Sequence, residues 1–414
     1  MNRITTTVLD CGMPLLVEQM EGVRSASVCW LLPAGAGTDP EDRQGLSTMW
    51  AELLHRGAGT LDSRAQADAL DRLGLVRDTE VRAQYLRITA TMIGDRMEAA
   101  LPLLAEMVLR PRFEPDAIEP TRELAIASLI GLKDNPSERA HILLSELHNE
   151  LPINRSGLGT EAGLAAITRE DLVRGWERQA RPGRSILAVA GEVDPVLIAR
   201  QLNELLKAWS GKPPELTLRP SPTRGSFRHV DDPSNQVQVY LSHQAPPEPG
   251  PDARLEALLT SVLSGGSSSR LFTEVREKRS LCYAVSASYA ADKLFGRCVA
   301  YVGTTPERAQ ESLDVLVSEL NRLTAAGGDK VVQDEFDRAM VGYRTRLVFS
   351  GESTAARAAT LANDQHRIGR GRSLAELRAE VERITLTDLN TYAGRRELGP
   401  CTIVTLGPTE VRRP

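Results

Sequence analysis

The chain has 414 residues, 41% of them apolar, 25% charged and only 4% aromatic. These are globular proportions with material for two or three domains, so wholesale disorder is excluded and the cores must rest on aliphatic side chains. Fifty basic against 55 acidic residues leave a net charge of −5, which exerts no general pull on nucleic acid or anionic lipid.

In chain order, the N-terminus shows no apolar signal region, and no run approaches the roughly 18 apolar residues of a membrane span. A soluble, cytoplasmic chain without a membrane partner is expected. Alternating or β-rich runs predict strands at 25–32, 83–92, 185–191, 236–242, 283–290 and 296–302. Helical periodicity fills 45–55, 63–73, 96–109, 116–131 and 137–151, then 252–263, 306–323, 332–348 and 353–367. Ser137 and Thr168 read as N-caps, and Asp134-Asn135-Pro136 as a helix stop and restart. Hairpin-like strands with clustered helices predict an α+β fold with antiparallel sheets, not a parallel βαβ fold. The five cysteines (Cys11, Cys29, Cys282, Cys298, Cys401) are scattered, with no C-x-x-C pair. Neither a disulfide framework nor a thiolate zinc knuckle is indicated.

The chain carries an internal duplication. ITREDLVRGWERQARPGRSILAVAG from Ile167 recurs as ITLTDLNTYAGRRELGPCTIVTLG from Ile384, and NPSERAHILLSEL from Asn135 as GESTAARAATLANDQ from Gly351. Further upstream, Pro40-Glu-Asp answers Pro251-Asp-Ala with a slightly shorter shift. Two homologous domains are predicted, 1–210 and 225–414, joined by a Pro/Gly/Ser/Thr-rich linker at 211–224.

Several blocks, in order, carry a resemblance. They are VLDCGMPLLVEQ near the N-terminus, GLSTMWAELLHRGAGTLDSRAQADALDRLG from Gly45, PRFEPDAIEPTRELAIASL from Pro111, SGLGTEAGLAAITREDL from Ser156 and SILAVAGEVDP from Ser185. LSGGSSSRLFTEVREKRSLCYAVSASY from Leu263 supplies the second half. Over its whole length the chain resembles the M16 (pitrilysin, mitochondrial-processing-peptidase-like) metallopeptidase family. The resemblance implies two homologous α+β domains, each a mostly antiparallel sheet packed with helices.

Catalytic members carry H-x-x-E-H on the helix that here begins near Gly45. Histidines at i and i+4 share a helical face and both reach a zinc ion, and the glutamate serves as general base. Alignment on Gly45-Leu46 and Gly57 puts Thr48 and Glu52 at the histidine positions and Ala51 at the base. Ser128 falls at the third ligand, so this half is expected to hold no catalytic zinc. Of the six histidines, His55 lies three residues past Glu52 without a histidine at i±4. His141, Glu146 and His148 read as part of an exposed helix of mixed polarity rather than a metal site. Gly265-Gly266-Ser267-Ser268-Ser269 lacks the phosphate-loop pattern and reads as a helix-to-helix turn.

By the same resemblance, Arg276 and Tyr283 match a family pair that binds the substrate backbone carbonyl. A guanidinium fork and a phenol suit an oxyanion. The implied role is a non-catalytic, substrate-binding subunit. It would act on unfolded peptide beside a homologous partner that carries H-x-x-E-H and the zinc. Alternatives are a non-proteolytic peptide-binding or scaffold subunit, and, third, an autonomous metallopeptidase with unrecognised ligands.

Overall fold

In the computed structural model, residues 3–414 are described, and the chain divides into two compact units. The first takes residues up to Gly131, Leu151–Arg219 and Ser350–Ser373; the second takes Leu132–Glu150, Pro220–Phe349 and Leu374–Pro414.

The first unit is built on six strands, β1 (Arg3–Val8), β2 (Pro14–Gln19), β3 (Ser25–Leu32), β4 (Val76–Val81), β5 (Leu86–Ile93) and β6 (Ile186–Gly191). Their order across the sheet is β1-β2-β6-β3-β5-β4, and only β2 and β6 run parallel. The central strand β3, SASVCWLL, is an almost unbroken apolar run, which demands cover on both faces. Alternation sends Val28, Trp30 and Leu32 into the large core beneath the helices. Cys29 and Leu31 go to the opposite face, where Ala358, Leu361 and Ala362 of the helix Thr354–Ile368 pack on them.

The second unit repeats this plan with β7 (Phe227–Asp231), β8 (Val237–Ala245), β9 (Cys282–Ala291), β10 (Gly296–Thr304) and β11 (Thr402–Gly407). Read from the other edge, its order is β7-β11-β8-β10-β9, again with one parallel pair, β7 and β11. Strand for strand this is β2-β6-β3-β5-β4 of the first unit, so the duplication seen in the sequence is a duplication of topology. The caps repeat too. Thr168 and Asp171 form a reciprocal capping box, and so do Thr385 and Asp388.

The compact units are not the contiguous halves 1–210 and 225–414. The helix Pro136–His148 lies in the second unit, where Ala140 and Leu144 cluster with Val404 and Leu406. Its repeat counterpart, Thr354–Ile368, lies in the first. Ion pairs hold each helix in place. Arg357, fully buried, donates through Nε to Glu18 Oε2 at 2.8 Å and through Nη2 to the Arg372 carbonyl at 2.9 Å. Arg139 pairs with Asp232 at 2.5 Å, and Ser137 Oγ bonds Tyr240 OH at 2.9 Å. The helix with His141 and His148 is therefore no exposed surface element. His141 stacks against Tyr240, and His148 is fully buried with Nδ1 2.8 Å from Thr402 Oγ1. Its N-cap is Asn135, which accepts from the Glu138 amide, rather than Ser137. Part of the linker is likewise pinned: Ser221 and Thr223 donate to the Leu147 carbonyl, and Arg224 pairs with Glu150 at 2.6 Å. Among the described residues, no helix is long and apolar enough to cross a membrane.

Candidate functional site

In the first unit, the helix Leu46–Leu53 begins at Gly45, whose φ of +113° lies in the left-handed region. A Cβ there would also meet Leu164 Cδ2 at 2.5 Å. The Asp39 carboxylate accepts from the Gly45 and Ser47 amides at 2.9 and 3.0 Å and from Ser47 Oγ at 3.1 Å. Burial pushes this carboxyl up to about 7 against those hydrogen bonds. Met49, Trp50 and Leu53 anchor the inner face of the helix in the core.

The spacing i, i+3, i+4, i+7 puts Thr48, Ala51, Glu52 and His55 on the opposite stripe. They line a cleft of about 640 Å³ whose other walls include Val76–Thr79 of β4 and Thr121, Leu124, Ala125 and Ser128 of the helix Pro115–Gly131. Thr48, Ala51, Glu52 and Ser128 thus share one cleft, although Ser128 is 76 residues beyond Glu52.

Thr48, Glu52, His55, Thr79 and Ser128 each have a protein partner there, whereas the buried Thr121 Oγ1 has none. Glu52 Oε1 accepts from Arg56 Nη2 at 2.6 Å and Nε at 3.0 Å. Thr48 Oγ1 donates to the Gly157 carbonyl at 2.5 Å, and Ser128 Oγ to the Leu124 carbonyl at 3.0 Å. Thr79 Oγ1 donates to the Ala51 carbonyl at 2.7 Å and so accepts from His55 Nε2 at 3.1 Å. Burial, helped by Arg77, lowers the His55 pKa and favours neutral imidazole. Hydrolytic zinc sites take three side-chain ligands. Hydroxyls donating to carbonyls and one carboxylate held by a guanidinium do not fit that requirement. Ala51 offers no base.

In the second unit, Arg276 and Tyr283 are both exposed, Tyr283 at 70%. The local backbone is irregular throughout. Phe272–Glu277 is a π-helical turn, Ser280 has φ +52°, and the β9–β10 register slips between Cys282 and Ala284. Such irregularities cost energy and often mark functional sites. The Arg276 guanidinium lies over the Phe272 ring, 4.8 Å from its centroid.

One cluster lay outside the sequence reading. Among the described residues, His243, Glu256 and Cys298 are the one group of three potential metal donors within 4.8 Å of one another, and all three are buried. Arg396 occupies the cation's place. Its Nε and Nη2 each donate to Glu256 at 2.8 Å, and Nη2 also reaches His243 Nε2 at 3.1 Å. Tyr392 OH donates to Glu256 Oε2 at 2.6 Å, and Cys298 Sγ to Oε1 at 2.9 Å. Burial raises the Glu256 pKa, but Arg396 overrides it and brings the carboxyl to about 2. A glutamate between the leucines of ARLEALL, on the helix face with Leu259 and Thr260, was the available sequence signal.

His243 is lowered to about 4 by burial and by Arg396, against Glu256, and His148 to about 3 by burial and by Arg224, Arg297 and His243. Both are neutral when folded but titrate near 6.5 when unfolded. The unfolded state therefore binds more protons as pH falls below 6.5, and stability declines from there toward pH 4. Each histidine contributes a limiting slope of about 1.4 kcal/mol per pH unit. Urea unfolding followed by hydrogen exchange in β8 and β11 should show this slope, and His148→Gln should reduce it. A flat profile would contradict the assignment.

Residues 15–160 match the profile of Insulinase (Peptidase family M16), and residues 166–342 that of the Peptidase M16 inactive domain. A Mycobacterium tuberculosis protein named as an uncharacterized zinc protease is 27% identical over 401 residues, covering 94% of this chain and 89% of its own. Among solved structures, a peptidase M16 inactive domain from Pseudomonas fluorescens shares the fold at a TM-score of 0.88 and 21% identity over both full chains. A chain of Complex III2 from Candida albicans does so at 0.83 and 16% identity, covering 98% of this chain and 96% of its own.

Proposed function

The chain belongs to the peptidase M16 family, and from that premise we propose that it is the non-catalytic, substrate-binding subunit of a two-chain zinc peptidase. The observation that carries this reading is the contrast between the two sites. Where zinc ligands and a base are needed stand Thr48, Ala51, Glu52 and Ser128, with the Glu52 carboxylate tied to Arg56. Where substrate contact is needed, Arg276 and Tyr283 stand exposed on irregular backbone. A homologous partner with H-x-x-E-H supplies the metal and the general base. This chain supplies a guanidinium and a phenol that hold a carbonyl oxygen of an extended, unfolded peptide and donate to it as negative charge develops.

The test is purification of the chain alone and with such a partner. The lone chain should hold no stoichiometric zinc and cleave nothing. In the complex, Tyr283→Phe should lower kcat about a hundredfold, the usual cost of losing one oxyanion donor. Zinc-dependent cleavage by the lone chain, or unchanged turnover in Tyr283→Phe, would refute the reading. A non-proteolytic peptide-binding or assembly subunit rests on the same missing ligands. It predicts peptide binding without cleavage beside any partner.

A further inference from the structure

The exposure of Tyr283 has a specific structural origin. Val285 and Ala287 of β9 pack against the second unit's core, and a two-residue period continued backward would turn residue 283 inward as well. Instead Cys282 takes the inward position. Cys282 pairs with Thr304 and Ala284 with Gly303, so Tyr283 is the extra residue of a bulge, opposite no partner. The bulge reverses its facing and leaves both Tyr283 and Ala284 exposed.

A bulge disrupts the ladder, and its freed backbone groups need other partners. The Leu281 carbonyl finds one in Thr304 Oγ1 at 2.5 Å. Ser312 Oγ donates to Thr304 Oγ1 at 3.0 Å and lies 3.4 Å from the same carbonyl. Thr304 and Ser312 are both fully buried, the latter on the helix Ala309–Arg322. The turn before the bulge is tied back as well: the Ser280 amide donates to the Arg276 carbonyl and the Leu281 amide to the Val275 carbonyl, each at 3.0 Å.

We propose that Thr304, backed by Ser312, is a positioning residue that holds the 281–284 bulge and thereby presents Tyr283, with Arg276 on the adjoining turn, to an extended peptide. The functional part of this inference rests on the substrate-contact reading above; the structural part does not. Neither hydroxyl touches peptide. Each acts through the Leu281 carbonyl.

The probe is fluorescein-labelled, reduced and carboxymethylated α-lactalbumin, a permanently unfolded chain, titrated with the full-length protein by anisotropy. Thr304→Val keeps the shape and removes the donor, and Thr304→Ser restores it. Thr304→Val should speed hydrogen exchange in residues 281–285 about tenfold, the effect of one lost buried hydrogen bond, and weaken Kd by a similar factor. Exchange in β8 and β11 should stay unchanged, and Thr304→Ser should recover both readouts. Unchanged exchange at 281–285 in Thr304→Val overturns the inference. So does an unchanged Kd in Thr304→Val when Tyr283→Ala has abolished binding. Wild-type binding by Tyr283→Ala instead removes the substrate-contact reading, and exchange alone then decides whether Thr304 holds the bulge.

Discussion

Arg396→Met is expected to destabilise the second unit by about 3–5 kcal/mol, the range for breaking a buried ion pair from one side. Glu256 is fully buried and Arg396 only 4% exposed, so water cannot replace the lost guanidinium without opening the core. The carboxylate accepts four hydrogen bonds, two from Arg396 and one each from Tyr392 and Cys298. Removing Arg396 leaves a charge with two weaker donors and leaves His243 Nε2 without its donor. Glu256→Gln added to Arg396→Met removes the stranded charge and should recover at least half of the loss, because the amide still accepts from Tyr392. Urea unfolding at pH 7, read by hydrogen exchange in β8 and β11, measures both variants. A loss below about 1 kcal/mol in the single variant would show that the pair does not carry the stability its burial implies.

The strands and the duplication were legible because they repeat local chemistry. β3 matches its predicted span of 25–32, and the capping-box residues Thr168 and Asp171 recur as Thr385 and Asp388. The helix exchange was not legible. Ala140 and Leu144 on one helix, and Ala358, Leu361 and Ala362 on the other, make short apolar stripes that suit either sheet, and hydrophobic burial is non-directional. The edge strand β4, VRDTEV, went unread because it is largely polar and its burial pattern does not alternate cleanly. The Tyr283 bulge is a one-residue slip that leaves composition unchanged. Helical spacing placed Thr48, Ala51 and Glu52 on one face, but only the family resemblance connected them with Ser128. Glu256 and Arg396 are 140 residues apart, beyond any local pattern.

Thr48→His, Ala51→Glu, Glu52→His and Ser128→Glu introduced together are expected to give a chain that binds about one zinc ion, against none in the parent. The geometry favours it. Positions 48 and 52 are one helical turn apart on the cleft face, and Ser128 reaches the same cleft from the helix Pro115–Gly131. The helix start that orients them, with Gly45 left-handed and Asp39 accepting from two amides, is untouched. The losses are small. The Glu52–Arg56 pair is 34% exposed at Glu52 and 41% at Arg56 and worth at most about 1 kcal/mol, and Thr48 gives up one hydrogen bond to Gly157. Omitting Ser128→Glu should weaken binding by at least about tenfold, since it removes a ligand rather than a neighbour. His55→Ala in the rebuilt chain should leave the metal in place, because His55 Nε2 is engaged by Thr79 and lies off the i, i+4 pair. Metal content after dialysis, measured by plasma mass spectrometry, reads all three. No zinc in the fourfold variant would mean that the cleft departs from a zinc site in shape as well as in ligands. Stoichiometric zinc would show that four side chains alone separate this cleft from a metal-binding one.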